Sequence, residues 1–292
     1  MLGVAATALS AWLASPAPSD LAARVTRSVS MHGGREVPLS DVAPVIREAV
    51  IATEDERFYR HHGIDVIGVA RAMAYDVSHL TTAEGASTIT EQLAKNLHLG
   101  GNDHNVWRKL EAATIAVRIE AANSKPRILD DYLNTVYFGE NAYGIDAASE
   151  RYFRESPSAL TLDQASLVAG LIQSPSGDDP YTNPAAARAR QAIVLGAMAR
   201  NGFITGAEGQ RVLARPLRLA GGSVLPGDPR SDFSSAPQVS IPLLAGALTL
   251  LVLAGTLIAF GRNRIGRLGL RIAAWGSLAA SIVLVARALR AD

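Results

Sequence analysis

The spacing of apolar and polar positions predicts a mostly helical domain over residues 42–205. In "DVAPVIREAVIATEDERFY" the apolar positions recur at intervals of three or four behind Asp41, which we expect to cap the helix. The helical pattern continues as far as "NPAAARARQAIVLGAMARNGFIT", and Pro126 and Pro184 stand where a first helical turn tolerates proline. Residues 20–45 instead alternate and carry two adjacent glycines, so we expect them to be irregular or β-like.

Two apolar runs near the C-terminus predict membrane-spanning helices. Residues 241–260 contain no charge, and a helix of this length spans about 30 Å, the thickness of a bilayer core. The second run, residues 272–286, is short, and it crosses a bilayer only if the flanking Arg271 and Arg287 extend to the interface. The pattern predicts a two-helix transmembrane hairpin over residues 241–290.

The loop between these two runs is basic. "GRNRIGRLGLR" holds Arg262, Arg264 and Arg267, and short loops rich in arginine lie on the cytoplasmic side of a membrane. The residues before the first run are therefore expected on the extracytoplasmic face.

Composition divides the rest of the chain into segments. Residues 1–19 hold an apolar run followed by "SPAPS", which fits either a signal-like segment or a truncated anchor. Residues 216–240 are rich in Gly, Pro and Ser and predict a linker that leads to the membrane. One domain is then expected over residues 20–215.

Charge and cysteine usage narrow the classes of function. Net charge is +1 over 292 residues, and no basic stripe with interleaved aromatic residues is present, so we expect no nucleic-acid partner. The chain contains no cysteine, which excludes disulfides and thiolate metal sites.

The first segment with candidate chemistry is "ATEDERFYRHHG". Glu54 and Asp55 end an apolar helix, close to His61 and His62. Apolar surroundings raise the pKa of a carboxylic acid, which suits a general acid or base near neutral pH. The alternative is a solvated helix end. Adjacent histidines do not share a helix face, so this segment does not predict a histidine metal site.

Two further segments carry groups that suit an anion or a sugar. In "EGASTITEQLAKN" the residues Thr88, Gln92 and Lys95 fall on one helix face near a helix N-terminus, although the spacing is not that of a P-loop. In "WRKLEAATIAVRIE" the cations Arg108 and Lys109 either hold an anion or only pair within the first helical turn.

Five segments occur together in one order: "EDERFYRHHG", "GASTITEQLAKN", "RKLEAATIAVRIE", "SKPRILDDYLNTVYFGENAYGI" and "NPAAARARQAIVL". They resemble the five motifs of the peptidoglycan glycosyltransferases of family 51. This resemblance implies a mainly α, lysozyme-like glycosyltransferase domain with a small membrane-proximal lobe, in addition to the C-terminal transmembrane helices. It also implies an enzyme at the cell membrane, with its catalytic domain on the extracytoplasmic face, that polymerises lipid II and releases undecaprenyl pyrophosphate. The expected partners are lipid II, the nascent glycan strand, the membrane and cell-wall synthesis proteins.

The resemblance also assigns roles to individual residues. Glu54 matches the general base, which takes the proton of the attacking sugar hydroxyl. Mg²⁺ or Mn²⁺ is an optional cofactor at the pyrophosphate, with ligands that the sequence does not identify. The positions that match substrate-binding residues are Asp55, Phe58, His61, Ser87, Thr88, Gln92, Lys95, Asn96, Arg108 and Lys109.

The sequence departs from the family pattern at two carboxylate positions. The third motif of the family reads Arg-Lys-x-x-Glu, but its glutamate position is Ala112 here. Glu111 lies one residue early, about 100° around a helix. The usual Gln-Gln of the second motif is Glu91-Gln92. Glu91 and Glu111 are therefore candidate substitute carboxylates, and the alternative function is a catalytically impaired, membrane-tethered scaffold for lipid II binding or cell-wall assembly. Glycan hydrolysis would need a second carboxylate, for which the sequence gives no candidate.

Overall fold

A computed structural model describes residues 20–79, 87–99 and 106–227. These residues belong to two compact units, one with residues 20–65 and 87–227 and the other with the helix Val66–His79. Every helix among the described residues is too short or too polar to cross a bilayer. The predicted signal-like segment and the predicted transmembrane hairpin lie outside the described residues.

The described residues are mainly helical, which confirms the predicted class. Three 3₁₀ turns (Leu39–Asp41, Phe58–Arg60 and Ala220–Gly222) and one π-helical turn (Lys95–Leu99) accompany the longer elements. These longer elements are the helices α1 Leu21–Met31, α2 Pro44–Glu54, α3 Val66–His79, α4 Ile89–Ala94, α5 Val106–Ala122, α6 Lys125–Thr135, α7 Ile145–Phe153, α8 Leu162–Leu171, α9 Pro184–Arg200 and α10 Gly206–Leu213. Two short strands follow them, β1 Leu217–Arg218 and β2 Val224–Leu225.

Helix α1 corrects the prediction for residues 20–45. Leu21, Val25 and Val29 are spaced four apart, which places them along one face of a helix, and all three are buried. This face packs against α6. The β-like prediction is wrong for α1, because burial of this apolar stripe favours a helix.

Helix α2 leads directly to the first candidate carboxylate. It begins at Pro44 with Ala43 as the N-cap residue, so the predicted cap at Asp41 is wrong, and Asp41 lies in the preceding 3₁₀ turn. Ile46, Ala49 and Val50 are fully buried, and α2 packs against both α8 and α9. This packing fixes the position of the C-terminal end of α2 in the core.

A second group of helices surrounds the candidate second and third motifs. Helix α4 packs against α5 and α6, and the residues that fill this part of the core are fully or almost fully buried. They include Phe58, Ile89, Leu93, Ile115 and Tyr132. The short helix α4 thereby lies next to the longer elements that carry the other motifs.

The first part of the predicted linker is folded. Leu217 pairs with Leu225 in an antiparallel two-stranded ribbon, and both side chains are buried. Arg188 of α9 holds this ribbon by donating hydrogen bonds to the carbonyl oxygens of Leu225, at 3.0 Å, and Pro226, at 2.9 Å. Leu217 and Leu225, which fall within the predicted linker, thus contribute buried apolar side chains to the core.

Candidate active site

Glu54 is the last residue of α2, and its side chain is only 10% exposed. The side-chain amide of Gln92 donates a hydrogen bond of 2.8 Å to Oε2 of Glu54. Arg190 Nη2 lies 3.9 Å from the other oxygen, Oε1. Burial raises the pKa of Glu54, while the Gln92 hydrogen bond and the Arg190 charge oppose this rise. The site thus holds a carboxylic acid with the raised pKa that a general base near neutral pH requires.

The orientation of Gln92 is set from α6. The Tyr132 hydroxyl donates a hydrogen bond of 2.8 Å to Gln92 Oε1, so the NH₂ group of Gln92 faces Glu54. Burial raises the pKa of Tyr132 well above its usual value, and the hydroxyl therefore stays protonated as a donor. A chain of two hydrogen bonds leads from the interior to the Glu54 carboxylate.

Asp55, beside Glu54, points into the protein. His61 Nε2 lies 2.9 Å from both carboxylate oxygens of Asp55, and the backbone N–H of Ile89 donates to Oδ2 at 3.1 Å. Asp55 and His61 are buried, and Phe58 is fully buried next to them. The contacts of these three residues with the protein fix the end of α2 against the start of α4, and their predicted contact with substrate stays a prediction.

Sequence reasoning missed the buried carboxylate behind His61. Glu120 Oε1 lies 3.8 Å from His61 Nδ1, and it accepts hydrogen bonds from Thr90 at 2.6 Å and Lys125 at 2.7 Å. The Lys125 ammonium also lies 4.4 Å from the centre of the Phe58 ring. Glu120 is the last residue of "RIE", which closes the third motif, so the sequence contained this carboxylate. No local pattern indicated that α5 brings it next to the histidine of the first motif.

The N-terminus of α4 is closed by a capping box between Thr88 and Glu91. The Thr88 hydroxyl accepts from the Glu91 N–H at 3.1 Å and donates to the carbonyl oxygen of Gly63 at 2.7 Å. The Thr88 N–H donates to Glu91 Oε2 at 2.9 Å. Thr88 is buried, so its hydroxyl supports the fold. Of the other two residues predicted on this helix face, Gln92 is partly exposed and Lys95 is exposed.

Two predicted cations lie near Glu91. Lys95 and Lys109 are exposed, and their charges lower the pKa of Glu91, which burial raises more strongly. Lys95 Nζ lies 3.4 Å from the hydroxyl of Ser87, which places this hydroxyl beside the same charge. Helix α4 packs against α5, so the second and third motifs bring these cations together beside Glu91. We call Ser87, Lys95 and Lys109 the cationic patch.

The other residues predicted at this patch have separate environments. Asn96 is exposed in the π-helical turn, and Arg108 donates a hydrogen bond of 3.0 Å to the carbonyl oxygen of Leu99. Glu111 is exposed, whereas Ala112 is completely buried. The two neighbours thus face different sides of α5, as their 100° separation requires.

The described residues of the patch do not by themselves form a donor set for a divalent cation. Among the described residues, no three histidine or carboxylate side chains cluster closely enough to bind a metal ion. Glu91 is bound by the Thr88 N–H and influenced by two lysines, which compete with a metal for its charge. The optional role of Mg²⁺ or Mn²⁺ stays a prediction.

Arg190 is the main residue of the site that sequence reasoning missed. The motif "NPAAARARQAIVL" contains it, but its helical pattern does not show which of two arginines faces the site. Arg188 turns to the ribbon, while Arg190 reaches Glu54. Burial lowers the pKa of Arg190, and the charges of Glu54 and Asp178 oppose this effect.

Known proteins resemble this chain across the helical domain. A family model described as "Transglycosylase" matches residues 23–199, which is more than half of the chain. A putative transglycosylase of Cupriavidus necator is 42% identical over 188 residues, covering 64% of this chain and 80% of that protein. Penicillin-binding protein 1A of Neisseria flavescens is 43% identical over 167 residues, covering 57% of this chain and 21% of that protein.

Two further matches are to penicillin-binding proteins. Penicillin-binding protein 2D of Bacillus subtilis is 41% identical over 181 residues, covering 62% of this chain and 26% of that protein. The crystal structure of penicillin-binding protein 1A from Haemophilus influenzae is 20% identical with a TM-score of 0.38, covering 78% of this chain and 22% of that chain. This chain thus spans about a quarter or less of the length of the penicillin-binding proteins that it matches.

Proposed function

Because the chain belongs to the transglycosylase family, we propose that it is a peptidoglycan glycosyltransferase that polymerises lipid II into glycan strands and releases undecaprenyl pyrophosphate. In this proposal the domain has the lysozyme-like arrangement of the family, with a small lobe next to the membrane. It lies on the extracytoplasmic face of the cell membrane, tethered by the apolar hairpin that the sequence predicts over residues 241–290.

The environment of Glu54 is the observation that carries this proposal. Gln92 occupies Oε2 of the carboxylate, and no described residue donates a hydrogen bond to Oε1. Arg190 approaches Oε1 only to 3.9 Å, beyond hydrogen-bond distance. Oε1 is therefore the oxygen that can accept a proton, while the rest of the carboxylate is held in place.

The proposed reaction needs a base and a stabiliser of negative charge. The 4-hydroxyl of the acceptor sugar forms a bond to the anomeric carbon of the donor, and Glu54 takes the hydroxyl proton. The bond from that carbon to the pyrophosphate oxygen breaks with inversion, and the pyrophosphate leaves with the electron pair. Lys95 and Lys109 are placed on one exposed patch, where they can stabilise this developing charge.

The second candidate function is a scaffold that binds lipid II or an assembly partner without polymerising it. Ala112 favours it, because the third-motif glutamate position holds a buried alanine. Glu91 adds to this, since it places a carboxylate among the cations that would receive the pyrophosphate. Both functions use the same patch, and they differ only in turnover.

One assay separates the two functions. The full chain in detergent is supplied with labelled lipid II, without metal and with Mg²⁺ or Mn²⁺. The proposed function predicts polymer from the wild type and none from Glu54→Gln, while Glu155→Gln, which changes an exposed glutamate, keeps the wild-type rate. A wild type that binds lipid II but forms no polymer under any of these conditions would establish the scaffold function instead.

The proposed topology has its own test. A reporter fused after Arg264, in the loop between the two apolar runs, is expected to be cytoplasmic. An extracytoplasmic signal from this position would contradict the proposed orientation of the domain.

A further inference from the structure

Arg190 joins three helices at the carboxylate of Glu54. Its Nε donates a hydrogen bond of 3.2 Å to the carbonyl oxygen of Gly170 on α8, and its Nη2 faces Glu54 at the end of α2. The Arg190 side chain is only 14% exposed. We propose that Arg190 is a positioning residue that keeps the Glu54 carboxylate charged and correctly oriented. The inference rests on the proposed role of Glu54 as general base.

The geometry explains why an arginine suits this position. The Gly170 carbonyl fixes the plane of the guanidinium through Nε, so Nη2 keeps one direction toward Glu54. A direct two-pronged ion pair would occupy both carboxylate oxygens. At 3.9 Å the cation instead favours the charged carboxylate by its field and leaves Oε1 able to accept a proton.

Gly170 makes room for the stem of Arg190. A Cβ atom at Gly170 would lie 3.0 Å from Arg190 Cγ, which is closer than side chains normally approach. Gly170 also stands in the last turn of α8, where backbone carbonyls lack helical partners and can accept from side chains. The small residue and the free carbonyl together direct the arginine across α8 to Glu54.

Asp178 acts on the same guanidinium. Burial raises the pKa of Asp178 and the Arg190 charge lowers it, and the backbone N–H of Asp178 donates to the carbonyl oxygen of Ser174 at 2.8 Å. The charge of Asp178 in turn raises the pKa of Arg190, as the charge of Glu54 does. Without the Asp178 charge, Arg190 should act on Glu54 alone and lower the pKa of Glu54. This shift is opposite in sign to the one expected when Arg190 itself is removed.

The other groups around Glu54 do not produce this pattern. Asp55, its neighbour in sequence, raises the pKa of Glu54, and Tyr132 from α6 is a neutral donor that acts through Gln92. Arg190 from α9 is the cation that opposes burial at Glu54. A rise in the pKa of Glu54 in the Arg190 variant and a fall in the Asp178 variant would therefore identify Arg190 as the cation that acts on Glu54.

The experiment measures the pH dependence of kcat/KM for lipid II polymerisation by the full chain. Arg190→Gln should lower kcat about tenfold or more and move the acid limb to higher pH, because Glu54 loses the charge that keeps it ionised. Asp178→Asn should move the acid limb to lower pH. Arg190→Lys should keep the acid limb near that of the wild type with a smaller loss of rate. Arg200→Gln, an exposed change on the same helix, is the matched control.

A second readout does not depend on activity. The carboxyl ¹³C resonance of Glu54, assigned with Glu54→Gln, reports its pKa in each variant. Opposite shifts for Arg190→Gln and Asp178→Asn support the inference even if no variant polymerises lipid II, in which case only the proposed function fails. If Arg190→Gln does not fold, Gly170→Ala, which displaces the arginine stem, replaces it. An unchanged titration of Glu54 in the Arg190 or Gly170 variant overturns the inference.

Discussion

Gly63 lies directly against the backbone of Val117. A Cβ atom at Gly63 would be 2.7 Å from both N and Cα of Val117, and Gly63 has a φ of +90°. The carbonyl oxygen of Gly63 also accepts the hydrogen bond of the Thr88 hydroxyl. One glycine of the first motif therefore contacts both the second and the third motif, and this contact brings Glu54 and the cationic patch into one site.

We expect Gly63→Ala to destabilise the domain strongly. The added methyl must displace the backbone of α5, and the residue must keep a positive φ, so the loss of unfolding free energy should be about 3 kcal/mol or more. Chemical denaturation measures it. Gly33→Ala is the matched control, because Gly33 has a φ of +66° but nothing within 4 Å of its added Cβ. Equal losses in the two variants would show that the contact with Val117 is unimportant.

Gln92 is expected to control the rate through Glu54. Gln92→Met removes the hydrogen bond to Oε2, so kcat should fall about 10- to 100-fold and the acid limb of the pH profile should move to higher pH. The pKa of Glu54 rises because a group that stabilises the charged form is lost. Steady-state polymerisation at several pH values measures both effects.

Tyr132→Phe provides the graded comparison for Gln92. It leaves the amide in place but removes the hydroxyl that orients it, so a smaller loss of rate is expected than for Gln92→Met. A larger loss of rate in Tyr132→Phe than in Gln92→Met, at unchanged stability, would contradict the proposal that Tyr132 acts on Glu54 through Gln92.

Sequence patterns were sufficient for the class of fold and for the segments that carry the site. The end of the α2 pattern placed Glu54 beside apolar residues, and the raised pKa of Glu54 in the structure has the expected direction. These features depend on residues that are close in sequence. Helix α1 was missed because its stripe of Leu21, Val25 and Val29 becomes decisive only when α6 covers it.

Long-range contacts account for what the sequence did not show. Arg190 reaches Glu54 from a helix far along the chain, and Glu120 approaches His61 from behind. No periodicity encodes such pairs, since they depend on how α2, α5 and α9 pack. The ribbon at Leu217 was read as a linker for a similar reason, because its two short strands are stabilised by contact with Arg188 and not by their own length.

Ala112→Glu tests whether the missing third-motif carboxylate can be restored. Ala112 is fully buried, so a glutamate there would be an unpaired buried charge, and the expected loss of unfolding free energy is about 3–5 kcal/mol without a gain in polymerisation. Thermal unfolding and the lipid II assay measure the two quantities. Ala121→Glu, at an exposed position of the same helix, is the control. A stable Ala112→Glu variant with faster polymerisation would mean that the native alanine limits activity.

Glu91→Gln distinguishes a substitute carboxylate from an electrostatic obstacle. Glutamine can close the same capping box, so stability should change little. Removal of the negative charge beside Lys95 and Lys109 should strengthen binding of the pyrophosphate group, lowering KM about two- to fivefold. The difference from the wild type should shrink as pH falls through the raised pKa of Glu91, because the protonated glutamate is also neutral. A fall in kcat at unchanged stability would instead show that the Glu91 carboxylate takes part in the reaction.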